Sequence, residues 1–197
     1  MFRTLVALIC CAGVWLAPPG PLSRADALKF QAKLTQIQHN AEQPRKPKMA
    51  PRQTQFPDEE LNSYLKFLAG AQVPVGIADP MLHSVGSGRV SGEATVDLDA
   101  VRMQKKRAWT DPLGYLTGKL PVTAAGVLTT ENGVGRFQLE SAQISGLSIP
   151  KSLLQELVSY YSKTKDTPNG INMDDPFQLP AAIQEIRVGQ GVATIVQ

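Results

Sequence analysis

The apolar positions of this chain change period several times along its length. Leu5 to Ala17 form an unbroken apolar run, LVALICCAGVWLA, preceded by Arg3 and followed by Pro18, Pro19, Gly20 and Pro21. Phe30, Leu34 and Ile37 then recur at roughly helical spacing, a thin stripe that predicts a docked or frayed helix within Leu28–Gln43. The stretch PRKPKMAPR, Pro44 to Arg52, breaks every period and predicts a basic, proline-rich linker. Beyond it, Leu61, Leu65 and Leu68 stand at i, i+4 and i+7, flanked by Tyr64 and Phe67. Asp58, Glu59 and Glu60 precede them, where carboxylates favour a helix N-terminus, and Gly70 closes the segment. An amphipathic helix is expected there.

The period then falls to two. Val90, Ala94, Val96 and Leu98 alternate with Arg89, Ser91, Glu93, Thr95, Asp97 and Asp99, which predicts a strand with one dry and one wet face. Lys119 to Leu147 reads as a hairpin turning at Asn132-Gly133, with Leu120, Val122, Ala124 and Leu128 on one arm and Phe137 and Leu139 on the other. The apolar parity slips by one residue between Leu139 and Ala142, the signature of a β-bulge. GLSIPKSLLQELVSYYS follows and predicts a second helix, with Leu153, Leu154, Leu157, Val158, Tyr160 and Tyr161 spread over an arc of about 160°. That is wider than a half-buried helix needs. A polar loop, KTKDTPNGINMDD, leads to a last hairpin through Ile186 and Val188, a glycine-containing turn, and Val192 to Val196.

Helix, strands, helix, strands, without a βαβ alternation, predicts an α+β fold in which an antiparallel sheet curves around one or two amphipathic helices. The organisation read from the pattern is a signal peptide at 1–27, an N-terminal helix and linker at 28–55, and a folded domain from Phe56 to Gln197. The basic start, short apolar run and Ala25-Asp26-Ala27 describe a secretory signal cleaved after Ala27, with an uncleaved anchor as the alternative. The protein is therefore expected to cross the inner membrane and reside in the periplasm. Both cysteines, Cys10 and Cys11, lie in the apolar run, so the processed chain would hold neither a disulfide nor a thiolate site. Such cleavage also removes Arg3, Arg24 and Asp26, which takes the formal charge of +3 to +2 and gives no reason to expect a nucleic-acid partner.

Residues that carry chemistry are sparse. His39 and His83 are the two histidines, the second in the expected loop DPMLHSVGSG. GSGRVSG, Gly86 to Gly92, enters a strand where a phosphate loop would open a helix, so its glycines read as a turn and a bulge. Asp97 and Asp99 form an i, i+2 pair on a wet strand face, and Asp174 and Asp175 sit in the polar loop. Neither pair comes with the further titratable groups that catalysis or metal binding would need. No cofactor or metal is implied. What remains is apolar surface, which either fills a core or lines a groove.

Four phrases carry a resemblance: DEELNSYL near the domain start, ATVDLDAVR, ISGLSIPKSLLQELV, and LPAAIQEIRVGQGVATI at the end. In this order they resemble the exported bacterial domains of the tubular lipid-binding (TULIP-like) superfamily, including the LmeA-like phospholipid-binding proteins. The likeness spans Phe56 to Gln197 and departs from the family where Pro57 replaces a helix-capping threonine or serine. It implies a highly curved antiparallel sheet around a long or broken helix, with an apolar groove that holds acyl chains, and lipid transport or sensing in the cell envelope. Carried onto this sequence, the groove-facing residues would be Leu61, Leu65 and Leu68, with Phe137, Leu139, Leu154, Leu157, Val158 and Tyr161. Lys105, Lys106 and Arg107 beside Trp109 would meet a lipid headgroup or membrane surface, since tryptophan favours the interface and cations favour phosphate. The expectation is a non-enzymatic lipid-binding or lipid-transfer domain. The alternative is a structural or adaptor domain of the envelope with a filled core and a protein partner. An enzyme would need His83 or the acidic pairs gathered in one cleft.

Overall fold

The computed structural model describes residues 20–43, 50–103, 118–163 and 167–197, with the backbone alone at 101–103, 157, 160 and 161. Helix α1, Arg24–Glu42, is longer than its thin stripe suggests and is a full member of the core. Ser23 caps it by accepting the Asp26 N–H at 3.1 Å, and the Ser23 N–H in turn donates to Ser63 Oγ at 3.1 Å. Ala27, Phe30 and Ile37 are buried, with Ala27 at 0% exposure, and Leu34 packs beside them. The small alanine is what the sequence pattern overlooks, because only large apolar residues mark a stripe.

Two boundaries move as a result. The folded unit begins before α1 and not at Phe56, and a cut after Ala27 would fall within the helix's first turn. Of the expected linker, residues 44–49 lie outside the described set, but Arg52 belongs to the fold. Its guanidinium donates to the carbonyls of Asn40 and Gln43 at 3.2 Å each, at the end of α1 where carbonyls lack the next turn's N–H groups; the Asn40 carbonyl also accepts the Gln43 N–H at 3.3 Å. Its backbone pairs with Gln197.

Strand β1, Gln53–Pro57, leads directly into α2, Asp58–Phe67, whose Pro57 cap offers no side-chain bond and whose first turn is acidic, as expected. The other strands are β2, Ile77–Gly86; β3, Arg89–Asp97; β4, Lys119–Glu131; β5, Val134–Ile144; β6, Leu147–Ser148; β7, Phe177–Gln178; β8, Glu185–Val188; and β9, Val192–Val196. Two further helices are α3, Leu98–Met103, and α4, Lys151–Ser162. The fold is α+β and its strand pairs are antiparallel. The strands divide between a three-stranded sheet, β1-β9-β8, and a six-stranded sheet in which β2-β3-β4-β5-β6 run in order and β7 pairs β5.

The hairpin at Asn132-Gly133 forms as expected, with φ of 50° and 81° giving the left-handed pair that a two-residue turn requires. The expected bulge also forms: Ala125 faces Ser141 and Gly126 faces Leu139, so Glu140 is the extra residue. Three readings change. The segment read as a loop around His83 is β2, disguised because Asp79, at φ 48°, and Pro80 interrupt its alternation where the register jumps from Ala78 to Met81. The strand read through Leu98 ends at Asp97, because Asp97 Oδ1 accepts the N–H groups of Asp99 and Ala100 and so starts α3. Ser145-Gly146 makes a further tight hairpin, β5 to β6, that the pattern did not mark.

The main core joins α1, α2 and the smaller sheet: Ala27, Phe30, Ile37, Phe56, Tyr64, Ala69 and Ile183, with Phe30 ringed by Phe56 and Tyr64 at 4.8 Å between centroids. The larger sheet projects from this core through β2, which α2 grips by two side chains. Asn62 Nδ2 donates to the Leu82 carbonyl and the Leu82 N–H donates to Asn62 Oδ1, both at 2.8 Å, while the Ser84 N–H donates to Asp58 Oδ2 at 2.7 Å. Positions i and i+4 of one helix thus stand in for a strand along the β2 edge.

Candidate functional site

Register places the alternating apolar residues of the larger sheet on one face. Val96, Ala94, Gly92 and Val90 of β3 lie opposite Leu120, Val122, Ala124 and Gly126 of β4, and Ile144, Ala142, Leu139 and Phe137 continue the face on β5. Most of these side chains are only half-buried, whereas the other face, with Arg89, Glu93, Lys119, Thr123, Arg136 and Glu140, is exposed. The sheet is therefore amphipathic as the alternation predicts, but the main core does not use its dry face.

Part of that face is the floor of an apolar cleft of about 370 Å³. Leu65 of α2 and Val73 and Pro74 of the following loop form one wall, Ile77, Pro80, Met81 and Leu82 of β2 the other, and Gly92, Ala94, Val122 and Ala124 the base. The volume falls in the range of about 300–1,000 Å³ typical of small-molecule sites. Gly92 matters to its shape. A Cβ there would stand 3.0 Å from Leu82 Cδ2, so the absent side chain lets Leu82 lie down across β3. Leu82 nevertheless stays 42% exposed, with room to move outward.

The residues singled out from the sequence do not gather in one place. Leu65 lines the cleft and packs on the core, Leu61 packs on the core, and Leu68 stands just past the end of α2, 36% exposed. Phe137 lies further along the sheet, its ring over Gly126 so closely that a Cβ there would meet it at 2.5 Å. Leu139, beside the bulge, shares its face. Leu154 and Val158 are half-buried on α4, which contacts β5 at the opposite end of the sheet from the cleft. The side chains of Leu157 and Tyr161, and all of Lys105, Lys106, Arg107 and Trp109, lie outside the described residues. What sequence reasoning missed is the β2 wall and the small floor, Gly92, Ala94 and Ala124. The floor was legible, since Gly92 and Ala94 share the parity of Val90 and Val96 on β3 and Ala124 that of Leu120 and Val122 on β4; the wall was hidden by the Asp79-Pro80 interruption.

A second hollow of about 590 Å³ opens beside the start of α2, among Leu22, Pro57, Asp58, Glu59, Asn62, Met81 and His83. Its polar groups are partly engaged: Glu59 Oε1 accepts the Gly20 N–H at 3.0 Å and Asp58 Oδ2 the Ser84 N–H. Asp58 Oδ1 is buried there with no hydrogen-bond partner among the described residues. The two acidic pairs are held elsewhere by local structure. Asp99 Oδ2 accepts the Gly118 N–H at 3.0 Å, Asp174 pairs with Lys151, and Asp175 Oδ1 accepts from Asn172 Nδ2 at 2.9 Å. Among the described residues, no three His, Cys, Asp or Glu side chains come together as a metal site would require.

On the wet face, Arg89 and Glu140 form a two-pronged ion pair at 2.7 and 2.8 Å, spanning β4 from β3 to the bulge. The hydrogen bond from Arg89 lowers the Glu140 pKa below its ordinary value. The pair thus pins the bulged residue toward solvent and keeps charge off the dry side.

No protein-family model and no curated protein matches this chain.

Proposed function

We propose that this chain is a non-enzymatic lipid-binding protein of the cell envelope, exported by its N-terminal segment, which holds an acyl chain against the dry face of its larger sheet. The observation that carries the reading is the cleft between α2 and β2–β4: it has an apolar lining and small residues at its base, and the main core leaves it unfilled. The TULIP-like resemblance of the phrases from Phe56 onward points to the same chemistry, and the basic-then-apolar N-terminus supports export. The driving force is desolvation. Each methylene moved from water into an apolar cleft contributes about 0.8 kcal/mol, so a chain is held with few polar contacts, less the cost of ordering it.

The experiment is native mass spectrometry with organic extraction on the full chain purified from an envelope fraction. A co-purifying lipid near one per protein supports the reading, provided that Leu82→Asp, a change at an exposed wall residue, removes it while thermal unfolding stays intact. A mass that remains free of lipid after incubation with envelope lipids overturns it.

A second reading, an adaptor that docks a protein partner, is favoured by one observation. Leu147, Ile171 and Phe177 are 74, 55 and 44% exposed, and Leu153 of α4 is 37% exposed, in the part of the chain that borders β5 away from the cleft. A lipid-free protein that elutes as a stable complex from the same fraction supports this alternative.

A further inference from the structure

A processing cut needs small residues at the third and the last position before it. Beyond the apolar run the N-terminal region offers that twice, in Ser23-Arg24-Ala25 and Ala25-Asp26-Ala27, and both sites are built into the start of α1. The Gly20 N–H donates to Glu59, Ser23 caps the helix and donates its own N–H to the fully buried Ser63, and the Arg24 guanidinium stands 6.0 Å from the centre of the Phe67 ring. Ala27 is enclosed in the main core. A cut at either site removes the cap and takes the Ser23 N–H away from Ser63 Oγ. It also sets a new ammonium group at the helix N-terminus, where the helix dipole disfavours a cation. The bonds upstream are no better. The one after Ala17 has Trp15 at the third position before it and Pro18, which lacks an N–H, directly after it. Each later bond as far as Ser23 meets a proline or a large residue at one of these positions.

Resting on the export part of the reading above, we infer that the chain is not cut at either site and keeps its apolar run, through which the folded unit stays attached to the bilayer it crosses. Leu5 to Ala17 is shorter than the roughly 20 residues of a full span, so the attachment is the desolvation of its apolar side chains in the acyl region. Ala17 and Gly20 are three residues apart, so at most about 11 Å separates them. Gly20, Pro21 and Leu22 line the second hollow together with Met81, and Met81 also walls the cleft. The membrane is thus the partner of this end of the molecule, and the tether joins the fold beside the cleft.

The test is expression of the full chain in a bacterium, unaltered and as Trp15→Ala combined with Pro18→Ser, which sets a small-x-small site upstream of Gly20. Three quantities are read: protease access in spheroplasts, partition after a carbonate wash, and intact mass. The unaltered chain is expected to be reached by protease, to have the mass of the sequence from Met1, and to stay in the membrane until detergent is added. The double variant is expected to have a mass that begins at position 18 and to become soluble. It should unfold at the same temperature as the detergent-released chain, because Gly20 to Ala27 is untouched. An unaltered chain whose mass begins at Asp26, at Leu28 or anywhere else past Ala17 overturns the tether and leaves export standing. A full-length chain that carbonate washes into the soluble fraction does the same. A double variant that remains full-length overturns the reason given for retention, and an unaltered chain that protease does not reach overturns export and tether together.

Discussion

A single carboxamide, that of Asn62, takes the place of a neighbouring strand at two backbone atoms of β2. Asn62 is 3% exposed, so its removal strands the Leu82 N–H and carbonyl away from water. Asn62→Ala is expected to cost about 2–4 kcal/mol in urea unfolding, because two backbone groups lose their partners together. A loss below about 1 kcal/mol would show that the β2 edge relaxes onto solvent. Glu140 gives a prediction in pH. Its folded pKa lies below the ordinary 4.5, mainly through the Arg89 hydrogen bond, so the pair's contribution is present above that value and disappears as pH falls through the lowered one. A carbon-13 titration of the side chain should show the depression, and Arg89→Gln should return it toward 4.5. Both groups are exposed, so the depression should also shrink in molar salt.

At the scale of elements, α1 shows how little apolar surface a helix needs when its small residues fit. Phe30 sits between Phe56 and Tyr64, and Ala27 is closed off entirely. Phe30→Ala is expected to destabilise the whole unit by about 3–5 kcal/mol, in one transition with the rest of the domain. An unchanged midpoint would mean that α1 is an appendage, as a domain start at Phe56 implies. On β4 the missing side chain of Gly126 is as important as any present one. Gly126→Ala places a Cβ against the Phe137 ring and the Gln138 carbonyl, and should cost more than the corresponding change at the open Gly70. The bulge was legible because a one-residue parity slip has one cheap backbone solution. The β2 strand was not, because a proline at an irregular register step looks the same in sequence as a proline in a loop.

Across the whole molecule, Gln197 ties distant parts of the chain together. Its Nε2 donates to the carbonyls of Ile37 and Ala181 at 2.9 and 2.7 Å, and its Oε1 accepts from Asn40 at 2.9 Å. Gln197→Ala is expected to lower stability by about 1–3 kcal/mol and to speed amide exchange in the second half of α1 before it does so in β4. The larger sheet depends on the smaller unit chiefly through α2 and β2. That arrangement explains the half-buried dry face: the compact core forms beside the sheet and not upon it, so the cleft lies along the junction.

The sequence by itself determined the amphipathic α2, the wet and dry faces of β3 to β5, the Asn132-Gly133 turn, the bulge and the last hairpin. Each of these follows from local geometry, the side-chain period of a helix or strand or the left-handed backbone of a turn, and that geometry is written within a few residues. Tertiary structure decided which apolar faces meet. Leu61, Leu65, Leu154 and Val158 carry the same local signal, yet Leu61 packs on the core, Leu65 lines the cleft, and the α4 pair sits at the far end of the sheet. The hydrophobic effect has no direction of its own. Which face remains uncovered is settled by the paths of segments far apart in sequence, here by α1 and the smaller sheet drawing α2 to themselves.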